Sequence, residues 1–144
     1  MKLQAISATF LRAVGVLLIV LGVVHLAATP HIPDLLRGSP SAVYEYAVGP
    51  TLLNHVLVGI LLLPLGYTTW LAVGLREKDK RCALRILVAN TIAVFTFPIS
   101  IAAFMRRPEY YTSPLFLAGV GLVALISLLM AAATYAMTRQ TRVE

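Results

Sequence analysis

The stretch FLRAVGVLLIVLGVVHLAA, residues 10–28, decides the fold. It is close to the 20 or so apolar residues that a helix needs to cross hydrocarbon. One cation, Arg12, stands near its start and one histidine, His25, near its end. Three further stretches repeat the pattern, over residues 50–75, 83–105 and 115–137. Their length and the absence of period-two alternation favour helices over strands. Pro50 and Pro114 open the second and fourth stretches, where a missing N–H costs nothing. The expected fold is all-α. It is an integral membrane antiparallel four-helix bundle, one transmembrane domain over residues 1–144.

Composition points the same way. Of the 144 residues, 59% are hydrophobic and 12% charged, about half the charged share of a soluble protein. The mean hydropathy is +0.85. A soluble domain of this size could not hide so much apolar surface, and a bilayer removes the need to hide it. The net charge of +6 could suit nucleic acid. However, the cations sit in short runs between apolar segments, where they read as orientation signals. Nucleic acid is therefore excluded as a partner. Cys82 is the single cysteine, so no intrachain disulfide can form.

The cations also set an orientation. Lys2, Arg12, Arg76, Lys78, Lys80, Arg81, Arg85, Arg139 and Arg142 fall on one side, and Arg37, Arg106 and Arg107 on the other. Nine against three places both termini in the cytoplasm by the positive-inside rule, most simply of a bacterial cytoplasmic (inner) membrane. An alternative makes residues 1–28 a cleaved signal peptide with Lys2 as its basic region. Arg12 would interrupt such a peptide, and its glycines would have no purpose there.

Small residues let membrane helices approach closely. Gly15 and Gly22 are seven apart on the first span, as Gly59 and Gly66 are on the second. The fourth span carries Gly119, Gly121 and the stripe Ser127, Ala131, Tyr135. Pro64 and Pro98 interrupt the second and third spans and are expected to bend them.

The outer connection, residues 29–49, reads as a structured cap. Pro33 to Gly38 fits one helical turn, and Ser39-Pro40 starts a short helix that ends at Gly49. Tyr44, Tyr46, Tyr110 and Tyr111 suit the outer interface, and Trp70 the inner one. The inner loop, residues 76–81, is a solvated mixed-charge turn within reach of anionic headgroups.

His25 lies about 6 Å inside the outer end of the first span, and His55 about 7 Å inside that of the second, from the helical rise. An imidazole in an apolar helix needs a partner. His25 shares a stripe with Gly15, Gly22 and Thr29, and His55 with Gly59, Gly66 and Thr69. Both rings are therefore expected to face protein rather than lipid. His31, Asp34, Glu45, Asn54, Met105, Glu109 and Tyr110 gather at the same end.

Three chemistries fit. Haem b could take His25 and His55 as axial ligands. Copper or another transition metal could use those imidazoles with His31, Asp34 or Met105. A histidine and a carboxylate could exchange protons, as at a proton or quinone site. Each residue also has a structural reading. A histidine near a helix end can bond a carbonyl, His31 can be a polar loop residue, and Met105 can simply pack. No Walker loop, nucleotide fingerprint, HExxH, CxxC or GxSxG occurs. Two functions follow. One is a haem- or metal-binding bundle in a redox or electron-transfer setting. The other is an accessory or scaffold subunit without a cofactor, packing on a membrane-protein partner or in a homo-oligomer.

Overall fold

Hydrocarbon offers backbone N–H and C=O groups no partners, so each apolar stretch satisfies its own by becoming a helix. The computed structural model describes residues 2–38, 41–105, 112 and 114–139. The described elements run α1 (Lys2–Ala28), a 3-10 turn (Thr29–His31), α2 (Ile32–Leu36), α3 (Ser41–Leu75), α4 (Lys80–Phe104) and α5 (Pro114–Arg139). Ser39, Pro40, Arg106, Arg107, Glu109, Tyr110, Tyr111 and Arg142 lie outside the described residues. Four of the helices are long and apolar enough to cross a membrane. Their surfaces are apolar too: Val20, Val24, Leu57, Ile92 and Leu128 are all at least 40% exposed. Side chains of that kind on helices of that length mark a membrane protein.

One boundary differs from the sequence reading. The short helix expected to end at Gly49 does not end there, and α3 runs unbroken from Ser41 to Leu75. Pro50 sits inside it rather than at its first turn. A proline removes one hydrogen bond and crowds the carbonyl four residues back. Here that loss does not stop a 35-residue helix. The helix α1 also starts earlier than the apolar stretch, at Lys2, and Pro114 is the first residue of α5.

The chain divides into two compact units. Residues 15–67 make one of them. Its helices meet through glycine. A Cβ placed on Gly66 would lie 2.5 Å from the Gly15 carbonyl oxygen, and one on Gly22 would lie 2.9 Å from the Gly59 carbonyl oxygen. A Cβ on Gly59 would sit 2.8 Å from Leu26. These contacts pair rising numbers on α1 with falling numbers on α3, which is an antiparallel register. The glycines are buried, with Leu18 and Leu62 beside them.

The second unit holds residues 1–14 and 68–144. Its apolar core includes Leu11, Leu87, Met130 and Met137, all fully buried. Hydroxyls and one amide link its helices. The Asn90 amide donates to Thr68 Oγ1 at 2.8 Å and to Thr69 Oγ1 at 2.9 Å. The Thr91 and Thr134 hydroxyls meet at 3.0 Å. Ser127 donates to the Val123 carbonyl at 2.7 Å and reaches the Val94 carbonyl at 3.4 Å. The α3–α4 turn closes with Asp79 as N-cap, its carboxylate accepting from the Cys82 N–H at 2.9 Å.

The glycines therefore divide into two kinds. Gly119 and Gly121, read in sequence as contact residues, meet nothing within 4 Å of a Cβ, and neither does Gly74. Ser127, Met130, Thr134 and Met137 form the buried face of α5 instead, while Tyr135 of the Ser127 stripe is 58% exposed. Gly66→Ala should lower stability by about 2 kcal/mol or more, since a backbone oxygen cannot yield to the new methyl. Gly74→Ala should be neutral or stabilise by up to about 1 kcal/mol through helix propensity. Thermal unfolding of both variants in the same detergent checks the contrast.

Candidate functional site

His25 lies in the last turn of α1. The last carbonyls of a helix lack intrahelical donors, and at His25 a neighbouring hydroxyl serves one. The Thr29 hydroxyl donates to the His25 carbonyl at 2.8 Å. The His25 ring stands against the Leu21 carbonyl, with Nδ1 to oxygen 3.0 Å. From α3, His55 brings its Nδ1 to 3.2 Å from Thr29 Oγ1. The two imidazoles stack, with ring centres 4.6 Å apart and planes inclined by 28°. Both rings and Thr29 are half-buried.

Counting donors assigns the protons. A carbonyl only accepts, so His25 Nδ1 must donate to Leu21. The Thr29 hydroxyl has one hydrogen, committed to the His25 carbonyl. Thr29 Oγ1 can then only accept from His55, so His55 Nδ1 also carries a hydrogen. In the neutral rings both Nε2 atoms are left with their lone pairs. Among the described residues no other hydrogen bond reaches either ring. Anchoring Nδ1–H on an oxygen is the arrangement that presents Nε2 as a base or a metal ligand.

The remaining candidates stand as follows. His31 is exposed in the 3-10 turn, with no side-chain contact to the pair. Asp34, in α2, pairs with Arg37 at 3.2 Å, and both side chains are more than half exposed. Such a pair is worth about 0–1 kcal/mol, and it turns the carboxylate to a cation of its own segment. Glu45 and Asn54 are exposed. Met105 belongs to the unit of residues 1–14 and 68–144, where it ends α4 with its N–H on the Ile101 carbonyl at 2.9 Å. Among the described residues, no group of three or more His, Cys, Asp or Glu side chains is placed to hold a metal.

The stack bears on which cofactor the pair suits. Two axial ligands of one iron approach it nitrogen-first from opposite sides, with about 2 Å on each side. His25 and His55 meet face to face instead, an arrangement that leaves no room for a porphyrin between them. A single ion off the ring edges makes a smaller demand. Nitrogens bound at about 2.0–2.1 Å lie no more than about 4.2 Å apart, and ring centres at 4.6 Å are compatible with that. Aiming both lone pairs at one point requires a ring to turn out of the stack. The Thr29–His55 anchor measures 3.2 Å and the His25 anchor on Leu21 3.0 Å.

Thr29 was visible in the sequence only as the next member of the His25 stripe. The cue to its role is its position four residues after His25, where a threonine hydroxyl reaches the carbonyl one turn back. The chain matches no protein-family model, no curated protein and no solved structure. In the neutral rings, 15N NMR should find both histidines in the Nδ1–H form. Thr29→Val should release His55 to the other tautomer and leave His25 unchanged. An Nε2–H form of His25 in the parent protein would break the donor count.

Proposed function

We propose that this chain is a small polytopic membrane protein whose His25 and His55 bind a first-row transition-metal ion near the outer membrane face. The single observation that carries the reading is the anchoring of both Nδ1–H groups on oxygens, which leaves an Nε2 lone pair on each of two stacked rings. Imidazole suits copper, zinc and nickel, and copper(II) binds most tightly in that series. Two protein ligands leave the other coordination positions to water or to an incoming ligand. Such a site exchanges its ion readily, which fits metal handling or electron transfer better than a structural zinc. The stacked rings favour an ion over haem b.

The protein should bind one equivalent of copper(II) in detergent or lipid discs, with two nitrogens resolved in its paramagnetic resonance spectrum. His25→Ala and His55→Ala should each weaken binding at least tenfold, and the double variant should abolish it. A Soret band lost in those variants would replace the ion with haem. A colourless, metal-free protein that co-purifies with another membrane protein would establish the accessory-subunit reading instead.

The same proposal includes one transmembrane domain, an antiparallel bundle of four spans, with both termini in the cytoplasm of a bacterial inner membrane. Its support is the nine-to-three distribution of cations. Cys82 is the chain's one cysteine and is exposed beside the inner loop. A membrane-impermeant maleimide should therefore label it in inverted vesicles and not in intact cells. Labelling in intact cells would reverse the orientation.

A further inference from the structure

Arg12 is one turn into an apolar span, and it stands between two clefts. The larger, of about 560 Å³, is walled by Ala5, Ala8, Thr9 and Arg12 of α1 on one side. Val73, Arg76, Glu77 and Lys80, from the end of α3 and the start of α4, wall the other. The smaller, of about 200 Å³, runs from Arg12 along Trp70, Leu71, Gly74 and Leu75 to Lys78. All these residues belong to one compact unit. The first wall is a helical stripe, and the second runs from α3 through the turn after Leu75 to α4. Ala5 and Ala8 keep the first one low, and Gly74 has open space where a Cβ would be.

The two clefts differ in chemistry. The larger presents three cations against one carboxylate, with a threonine hydroxyl between them. The smaller is a trough of apolar side chains with a cation at each end. Among the described residues, neither Arg12 nor Arg76 forms an ion pair or a side-chain hydrogen bond. Two guanidinium groups without an acceptor among the described residues, beside an apolar trough at the end of membrane-spanning helices, suit one kind of ligand. It carries an anionic phosphate next to hydrocarbon. Guanidinium suits phosphate because its planar fork meets two oxygens at once.

We propose that these clefts form a binding site for an anionic phospholipid of the leaflet on the basic side of the protein. The phosphate lies among Arg12, Arg76 and Lys80 in the larger cleft. The glycerol and the first methylenes of an acyl chain lie along Trp70, Leu71 and Leu75 in the smaller. Basic pockets between spans at the cytoplasmic face recognise anionic headgroups by this same pairing of charge and hydrocarbon. The site shares no residue with the histidine pair, so each stands or fails without the other.

Trp70 is the only tryptophan in the chain, and it lines the smaller cleft at 46% exposure. Its fluorescence is therefore a built-in reporter. The full-length protein is reconstituted into phosphatidylcholine vesicles that carry one-fifth of a chain-brominated lipid, either phosphatidylglycerol or phosphatidylcholine. Salt at 0.5 M suppresses the diffuse attraction of anionic lipid to a basic surface. Brominated phosphatidylglycerol should quench Trp70 at least twice as strongly as brominated phosphatidylcholine. Arg12→Gln with Arg76→Gln removes both guanidinium forks and should bring the twofold difference to one.

Glu77→Gln removes the carboxylate of the larger cleft and should raise the preference. That gain cannot come from misfolding. Equal quenching in the parent protein overturns the proposal, as does a preference that survives the double arginine variant or one that Glu77→Gln fails to raise. Inorganic phosphate added to purely neutral vesicles tests the other source of the same chemistry. A shift of Trp70 emission at millimolar phosphate would assign the site to a soluble anion and overturn the lipid.

Discussion

The candidate metal site depends on how closely two backbones approach at Gly15, Gly22, Gly59 and Gly66. Between membrane helices there is no hydrophobic drive, because lipid tails are as apolar as leucine. Association must come from dispersion and polar contacts, and both decay within a few ångströms. The Gly66 Cα stands so near the Gly15 carbonyl that a methyl there would overlap it. That proximity fixes the axial register of α1 against α3. With Gly22 opposite Gly59, His25 lies three residues beyond one and His55 four residues before the other. Either offset is about one helical turn, so the rings arrive at one level. The stack follows from the register, and the register from missing side chains.

What the register brings together must then be satisfied. A buried donor or acceptor without a partner costs about 1–3 kcal/mol, whereas a hydrogen bond between membrane helices gains about 0.6 on average. Avoiding the loss is therefore the stronger constraint. The ladder from His55 to Thr29, to the His25 carbonyl, with the His25 ring on Leu21, places three hydrogens on three acceptors. The other unit obeys the same rule with different groups. Asn90 serves two threonines, and Ser127 and Thr91 turn back onto carbonyls of their own helices. The histidine ladder ends in two lone pairs, one on each Nε2.

Much of this was legible in the sequence, for reasons that can be named. Spans are legible because hydrocarbon demands length, and length is read directly from residues 10–28 and their three counterparts. The histidine pair is legible because a seven-residue glycine spacing marks a contact face on both α1 and α3. The same rule misread Gly119 and Gly121, since a glycine marks a contact only when a neighbour occupies the space. The start of α3 was hidden because Gly49-Pro50 is a local stop signal, and a long helix overrode it. Asp34 was grouped with the histidines by position along the chain, yet Arg37 is three residues away on the same segment. A contact so local outcompetes one that must be built across helices.

Arg12 shows most clearly what a linear reading cannot weigh. In sequence it is one of nine cations on the basic side, and counting them assigns each the same role. The structure separates them by what stands beside them. Exposed Lys78 ends an apolar trough, and Lys80 opens α4 beside the capping Asp79. Arg12 faces Thr9 and two alanines along its own helix and Arg76 and Glu77 across a cleft. A cation that only oriented the chain would need water and nothing else. Arg12 and Arg76 line one cleft together, with Glu77 as the carboxylate between the same walls. A phosphate from the leaflet itself offers both guanidinium groups an acceptor that fits their planar forks.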